Sequence, residues 1–519
     1  MPATAHASYW EETAGGEVSR YPALEENIEV DVAILGGGIT GLTAAAHLKQ
    51  AGKRVAVLEA GQIGAGTTGF TSGHLDATTD LPLSQMIFDF GQFAASTITS
   101  ATRQAIDQIE ARCRDWPECE FSRIPSYQFT ESASGVDALY KQCAAARKLG
   151  FNSWFTRQVP LHFAAGAMQT AGQGRFHSLR YLQRLAEEVR GDGSAVFENT
   201  SASPPEDGEP CTVQTPGGTV RAANVFVATH SPYLGISQLE FRVFPYQSYV
   251  IAARVEEAVP DALYWDDADP YHYIRLASPD EPDLLIIGGA DHKTGHPLDE
   301  RERFADVERY ARDRFSVKSI EHEWSGQYYN PADGLPHIGR VPGSEHLFVA
   351  TGYAGVGLTW GTVAGTLIAR MIQGQRHPLE EILAPGRLTL MASAREVIAE
   401  NLDVVRRFAV DRLAGGKSIS DEEIPPGTGR IVSRHGRTVA VYRDPSGTIF
   451  RMSPVCTHSG CIVHWNQAER TWDCPCHGGR FTAEGQRFCG PPPRDLQPER
   501  ETAEANREAD GSAQRRHVH

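Results

Sequence analysis

From Glu29 to Glu59 the hydrophobic pattern reads strand, glycine turn, helix, strand: the apolar run VDVAILG, a helix through Leu42 and Leu48, then VAVLEA. Such a βαβ unit opens a doubly wound α/β domain. Residues 84–112 and 137–148 carry apolar positions at helical spacing, as does SLRYLQRLAEEV, and VRAANVFVATH ends that stretch as a buried strand. Between 241 and 290 the pattern changes. FRVFPYQSYVIAARV, YHYIRL and DLLIIGGAD are β-rich and separated by Pro/Asp turns, which predicts an antiparallel sheet inserted at about 241–325. After a helix at 301–315, HLFVATGYAGVGLTWGTVAGTLIARMI returns to strand, glycine turn and helix. The α/β domain is therefore expected to be discontinuous, over 29–394, behind an N-terminal extension of residues 1–28.

Beyond it, residues 395–413 place Val397, Leu402, Val405, Phe408 and Leu413 roughly on one helical face. SISDEEIPPGTG then reads as a linker, so helix and linker together span 395–426. Short strands and a DPSG turn predict a small all-β unit over 427–498. The tail, 499–519, is polar and aperiodic and is expected to be disordered.

Composition narrows the class. A chain of 519 residues exceeds what one core covers, and 41% hydrophobic with 22% charged residues excludes disorder as the main state. A net charge of −16 argues against nucleic acid as a partner. No run is apolar for the length a transmembrane segment needs, and MPATAHASYWEETAGG lacks the basic and apolar regions of a secretory signal, so a cytoplasmic location is expected. Nine cysteines are too few for a disulfide scaffold, yet Cys456, Cys461, Cys474, Cys476 and Cys489 crowd together near the end. That clustering points to metal.

GGGITG places Gly36, Gly38 and Gly41 where a dinucleotide fingerprint needs a tight turn, close approach of a pyrophosphate and close helix–strand packing. Glu59 ends the second strand, where a carboxylate binds ribose hydroxyls. The fingerprint leaves NAD and FAD open. ILGGGITGLTAAAHLKQAGKRVAVLEAGQIGAGTTG, VFVATH and DGLPHIG…LFVATGYAGVGLT together resemble the D-amino-acid oxidase, glycine oxidase and sarcosine oxidase family of flavoproteins, over about residues 29–375.

The resemblance implies a Rossmann-like FAD-binding domain with an inserted antiparallel β substrate domain, and oxidation of a C–N bond in an amine or amino acid. It implies FAD contacts at Gly36, Gly38, Ile39, Thr40, Gly41, Glu59, Ala60, Gly66, Thr67, Thr68, Gly73, His74, Ala228, Thr229, Asp333, Gly352, Gly355, Gly357, Leu358 and Thr359. Glycine oxidase relatives hold the substrate carboxylate with two arginines, whose places here look like Gly355 and Tyr328. That argues against a simple α-amino acid, or moves the carboxylate's partner elsewhere, with Arg275 in YHYIRL as the candidate. His74 lies near where some relatives attach flavin covalently. Phe70 occupies the attachment point itself, so a hydrogen-bonding or structural role is expected of His74. Tyr328 and Tyr353 are expected to line the substrate pocket, and with Arg275 they form the candidate catalytic set.

CTHSGC and CPCHGGRF contain Cys456-x-His458 and Cys474-x-x-His477. Two thiolates and two imidazoles suit tetrahedral zinc, or a [2Fe–2S] cluster with histidines on one iron. A zinc finger usually pairs its cysteines in one half and its histidines in the other, unlike these loops. Both loops, with GPPPR after them, resemble a Rieske domain. The resemblance implies Cys456 and Cys474 on the buried iron. It puts His458 and His477 on the exposed iron, with outer ring nitrogens at the surface where electrons leave. It also implies a disulfide between Cys461 and Cys476. Gly479 and Phe481 stand where respiratory types have hydroxyl donors, which implies a potential in the middle of the roughly −150 to +300 mV Rieske span.

A flavin takes two electrons as a hydride, and a Rieske cluster passes one. Their union implies an FAD-dependent oxidoreductase that hands electrons singly to an external acceptor. The expected partners are a small-molecule amine or amino-acid-like substrate and a soluble electron-acceptor protein or O2. Two other readings compete. A reductase carrying NAD(P)H electrons to a partner enzyme would want a second dinucleotide fingerprint. The other is a non-catalytic redox-sensing module. A self-contained Rieske oxygenase is not expected, because the stretch after His477 is too short for a 2-His-1-carboxylate iron domain.

Overall fold

A computed structural model describes residues 6–15, 20–231, 238–296, 299–387, 419–434 and 436–499. The helix expected at 395–413, most of the linker and the tail from 500 onward lie outside the described residues.

Ile28–Leu35 is apolar almost throughout because it is central in a parallel sheet and covered on both faces. Val55–Leu58 and Gly218–Val227 pair parallel on either side of it. The sheet runs in the order His337–Arg340, Leu347–Thr351, Gly218–Val227, Ile28–Leu35, Val55–Leu58, Ala195–Phe197, with Cys211–Thr215 added as a hairpin on Gly218–Val227. The helix Ile39–Gln50 leaves the first strand through the glycine turn, and Gly357–Ile372 packs across it. That crossing is close because Gly365 has no side chain: a Cβ there would lie 2.6 Å from Thr40 O and 2.8 Å from Thr43 Cβ. The late strand Leu347–Thr351 pairs parallel with Gly218–Val227, so segments from both ends of residues 28–351 share this sheet.

The second sheet is larger than the predicted insert. Its nine strands include Val317–Pro331, Val243–Val255, Glu281–Lys293 and Tyr273–Ser278, but also Ser122–Thr130, Ser153–Thr156, Gly166–Arg175 and His74–Leu75. Segments well before residue 241 therefore build the substrate side, because Leu263–Trp265 carries the sheet on by pairing parallel with Ser122–Thr130. The N-terminal segment is also part of the core. Ser8 caps the short helix Tyr9–Thr13 with a capping box, and Trp10, 1% exposed, donates Nε1–H to Thr71 O at 2.7 Å.

Two small sheets, Thr428–Arg434 to Ile449–Met452 and His464–Asn466 to Arg487–Cys489, form the C-terminal unit around Trp472 and Phe481. The unit is seated on the Val317–Pro331 strand. Ser325 Oγ donates to Glu469 Oε1 at 2.6 Å, and Gly295 lies so near the cysteine loop that a Cβ would come within 2.6 Å of Pro475 N. Among the described residues no helix is long and apolar enough to cross a membrane.

Candidate active site

A cavity of about 950 Å³ runs from the glycine turn between the two large sheets to the C-terminal unit, at the upper end of ligand-site volumes, roughly 300–1,000 Å³. At one end Gly38 caps the helix Ile39–Gln50 with no side chain of its own, and apart from Ile39 N–H, which donates to Thr68 Oγ1 at 3.3 Å, the first-turn N–H groups are left for an anionic ligand. Gly36, at φ 110°, passes so close to the Gly218–Val227 strand that a Cβ would lie 2.5 Å from Ala228 O. The Glu59 carboxylate accepts from Gly37 N and Gly61 N, each at 2.8 Å. Burial pushes the Glu59 carboxyl upward, and those backbone donors pull it back. An anion-ready helix end beside a carboxylate at a strand end fits the pyrophosphate and ribose of FAD.

Of the expected FAD contacts, Gly36, Gly38, Ile39, Thr40, Glu59, Ala60, Gly66, Thr67, Thr68, His74, Ala228, Thr229, Gly355, Gly357 and Leu358 line this cavity. Five do not. Gly41 faces the backbone of Gly36, where a Cβ would lie 2.0 Å from the carbonyl oxygen. Gly73 abuts Trp10 and Arg275, and Gly352 lies against Val243 and Pro331. Thr359 Oγ1 donates to Asp76 O at 2.6 Å. Asp333 is engaged by Arg387, Nε to Oδ2 at 2.9 Å and Nη2 to Oδ1 at 2.7 Å, with both side chains buried. These residues shape the walls from behind. His74 lines the cavity with Nδ1 3.1 Å from Ser72 Oγ, and burial holds its pKa down to about 3, so the ring is neutral.

The candidate catalytic set divides. Tyr328 and Tyr353 line the cavity, whereas Arg275 does not. Arg275 is 1% exposed, spends its guanidinium on the carbonyls of Gly73, Leu276 and Ala277, and stacks 5.3 Å from the Trp10 ring. With its donors committed to backbone, it offers nothing to a substrate, and the expectation is corrected. Tyr353 OH receives Thr40 Oγ1–H at 3.2 Å, on the nucleotide side. Tyr328 OH donates to Asp291 Oδ2 at 2.7 Å.

Asp291 and Asp80 were not singled out by any sequence motif. Burial pushes each carboxyl up to about 6. Asp80 Oδ2 accepts from Gly355 N, and Tyr271 stands close by: a Cβ on Gly355 would lie 2.6 Å from Tyr271 OH and 3.0 Å from Asp80 Oδ2. Among the described residues no lysine or arginine pairs with either carboxylate. The end of the cavity walled by Asp80, Asp266, Asp267, Trp265, Tyr271, Tyr273 and Tyr328 is thus aromatic and acidic. The only hint in the sequence was Asp291 closing the buried run DLLIIGGAD.

In the C-terminal unit, Cys456-to-His458 and Cys474-to-His477 come together. The His458 and His477 rings meet edge to face with centroids 4.9 Å apart, and the Cys456 thiol lies beside that of Cys474. That thiol neighbour, with the N–H groups of Cys476 and His477, holds the Cys474 pKa down to about 7. Cys461 and Cys476 are disulfide-bonded. Their sulfurs and that of Cys474 lie within 4.8 Å of one another, so the only ligand in that trio is Cys474. His477 Nδ1 is buried without a partner, an orphan that metal ligation satisfies. The donor set fits a [2Fe–2S] cluster with two cysteine and two histidine ligands.

One expectation fails here. The histidine edge is not at the surface. His458 Nε2 lies 3.2 Å from Glu240 Oε2, with side chains 9% and 3% exposed, and Phe241 meets the His477 ring at 5.9 Å. The cluster edge is turned into the larger domain. Reciprocally, Arg487, Phe488, Cys489, Gly490, Pro493 and Arg494 wall the cavity. Glu240 and Phe241, which make these contacts, had no signal in the sequence because domain docking has no period.

Comparison with known proteins agrees with this geometry. Residues 31–371 match the family model described as DAO, FAD dependent oxidoreductase, and residues 417–499 match the Rieske [2Fe-2S] domain. Bacillus subtilis YhfW, named for a Rieske 2Fe-2S iron-sulfur protein, is 31% identical over 93% of this chain and 96% of its own. The gamma-glutamylputrescine oxidoreductase of Escherichia coli is 26% identical over 72% of this chain and 90% of its own. Glycine oxidase from Geobacillus kaustophilus shares the fold with a TM-score of 0.55 at 20% identity, covering 69% of this chain and 99% of that one. The chain belongs to the DAO family of FAD-dependent oxidoreductases, carries a C-terminal Rieske domain, and takes FAD and a [2Fe-2S] cluster as its cofactors.

Proposed function

We propose that this oxidoreductase oxidises a C–N bond in a small cationic amine and sends the electrons through the Rieske cluster to an external one-electron acceptor, a soluble protein, or to O2. One observation carries the reading: the Rieske unit walls the flavin cavity and turns its ligand histidines toward Glu240 and Phe241 of the flavin domain. When bound, FAD supplies two-electron hydride acceptance and the cluster one-electron transfer.

The chain's own residues do the rest. Asp80, which lines the acidic end and pairs with no lysine or arginine among the described residues, favours an ammonium group entering there and can accept its proton, leaving the nitrogen lone pair free to assist hydride departure, while Asp291 stands behind the wall and holds the Tyr328 hydroxyl. Tyr271, Tyr273, Tyr328 and Trp265 line that end, where they exclude water and supply aromatic rings for a cation. The absence of an arginine at Gly355 and Tyr328 fits an amine that needs no carboxylate clamp.

The test is anaerobic mixing of holoenzyme with primary, secondary and N-methyl amines, and separately with NADH and NADPH, following flavin absorbance and the reduced-cluster EPR signal. Flavin bleaching by an amine followed by growth of the cluster signal is expected. Reduction by a nicotinamide alone overturns the reading in favour of a reductase.

A further inference from the structure

We propose that Gln327 is the contact through which electrons cross from the flavin cavity to the cluster loop. The inference rests on the reading above that flavin electrons enter the Rieske cluster. Gln327 lies on the Val317–Pro331 strand, lines the cavity and is 4% exposed. Its backbone carbonyl belongs to the nucleotide side: Thr67 Oγ1 donates to it at 3.2 Å, and His230 Nε2 lies 3.1 Å away. Its carboxamide belongs to the Rieske side. Nε2 donates to Gly478 O at 3.0 Å and to Thr294 Oγ1 at 3.3 Å, and Oε1 accepts from Cys489 Sγ at 3.1 Å. Three partners hold the amide in one orientation.

Gly478 is the residue after the ligand His477, and its N–H returns to Cys474 O at 3.1 Å. Two positions further along the same face of the strand, Tyr329 donates its hydroxyl to His477 O at 3.2 Å. One strand face therefore bonds twice to the loop that carries two of the four cluster ligands. The approach depends on Gly478, at φ 69°: a Cβ there would lie 2.6 Å from Gln327 Nε2 and 2.5 Å from Pro245 Cβ. Electron tunnelling decays exponentially with distance, and more slowly along covalent and hydrogen bonds than across a van der Waals gap. Gln327 offers covalent bonds interrupted by one hydrogen bond from the cavity wall to the peptide beside His477.

Each crossing moves one electron from reduced flavin to oxidised cluster. The cluster passes it to the one-electron acceptor before the second follows, and the reduced flavin's proton leaves to solvent. No bond to carbon is made or broken in the crossing.

The test uses holoenzyme and needs no substrate. Flash photoreduction with 5-deazariboflavin and EDTA delivers electrons to flavin and cluster alike, so the transfer step is read, by absorbance and freeze-quench EPR, as the phase in which flavin reoxidation and cluster reduction share one rate. Gln327→Met, which keeps the length and removes the bonds, is expected to slow the flavin-to-cluster step by roughly tenfold. Tyr329→Phe, a milder change, is expected to slow it by a smaller factor. Cluster potential, EPR line shape and hydrogen-exchange protection of residues 474–479 are expected to stay as in the unaltered protein. An unchanged rate in both variants overturns the contact role. A slower rate accompanied by a shifted potential or lost loop protection also overturns it, because Gln327 then acts only on cluster energetics or docking. If the unaltered protein itself shows no flavin-to-cluster transfer, the functional reading fails first, and the two failures are distinct.

Discussion

Asp333→Ala decides whether that residue holds the cofactor or the fold. Sequence resemblance assigned it to FAD, whereas the structure commits both carboxylate oxygens to Arg387. The guanidinium also donates to Pro336 O at 2.8 Å and to Leu335 O, and the pair's side chains are only 7% and 3% exposed. Removing the carboxylate strands a buried cation, which costs about 3–5 kcal/mol. At roughly 2–4 °C per kcal/mol, even the low end lowers the midpoint of thermal flavin release by about 6–12 °C. Dissociation of FAD from protein still folded at 20 °C is expected to change little, since Asp333 does not line the cavity. The double variant Asp333→Leu with Arg387→Met removes both charges and is expected to recover most of the loss, because an apolar pair of similar volume has no desolvation penalty. Differential scanning fluorimetry on flavin emission gives the midpoint, and titration of apoprotein with FAD gives the affinity. A weakened FAD affinity with an unchanged midpoint would refute the structural assignment, as would a double variant no more stable than the single one.

Gly365→Val drives a side chain into Thr40 O and Thr43 at the helix crossing; a cost of about 1–3 kcal/mol and weaker FAD retention are expected, read by unfolding and by flavin release on gel filtration. Asp80 and Asp291 ionise near 6 in the folded protein against 3.8 ordinarily, and because Asp80 lines the cavity, cationic-amine binding is expected to strengthen as pH rises through 6. Asp80→Asn should flatten that rise in a calorimetric titration. With no amine present, the sign for stability is opposite: the folded state holds protons that the unfolded state has already lost, so stability falls as pH climbs from about 4 to 6. Replacing Cys461 and Cys476 together by serine opens a loop closed across a sequence separation of 15, worth roughly 3 kcal/mol in chain entropy, and the cluster EPR signal is expected to be lost on heating before flavin is released.

Resemblance to known families chose FAD over NAD and iron–sulfur over zinc, while much of the nucleotide-binding end and the four cluster ligands were legible in the sequence itself. Local patterns suffice for these: Val32 to Leu35 must be a covered strand because nothing polar interrupts it, and Gly36 and Gly38 sit where backbone meets phosphate. Cys456, His458, Cys474 and His477 were readable because ligands on two short loops keep a recognisable spacing. Tertiary structure decided what chemistry surrounds the cofactors. Asp80 and Asp291 lie more than two hundred residues apart, and the charge of Asp80 reaches Asp291 because Ser122–Thr130 and Leu263–Trp265 join two parts of one sheet. Arg275 looked free on a strand, but its burial beneath Trp10 depends on an N-terminal helix whose five residues carry no period long enough to read. The inward turn of His458 and His477 was beyond any spacing rule. It follows from how the Rieske unit docks on Gln327, Tyr329 and Glu240, and complementarity between surfaces distant in the chain leaves no periodic trace along it.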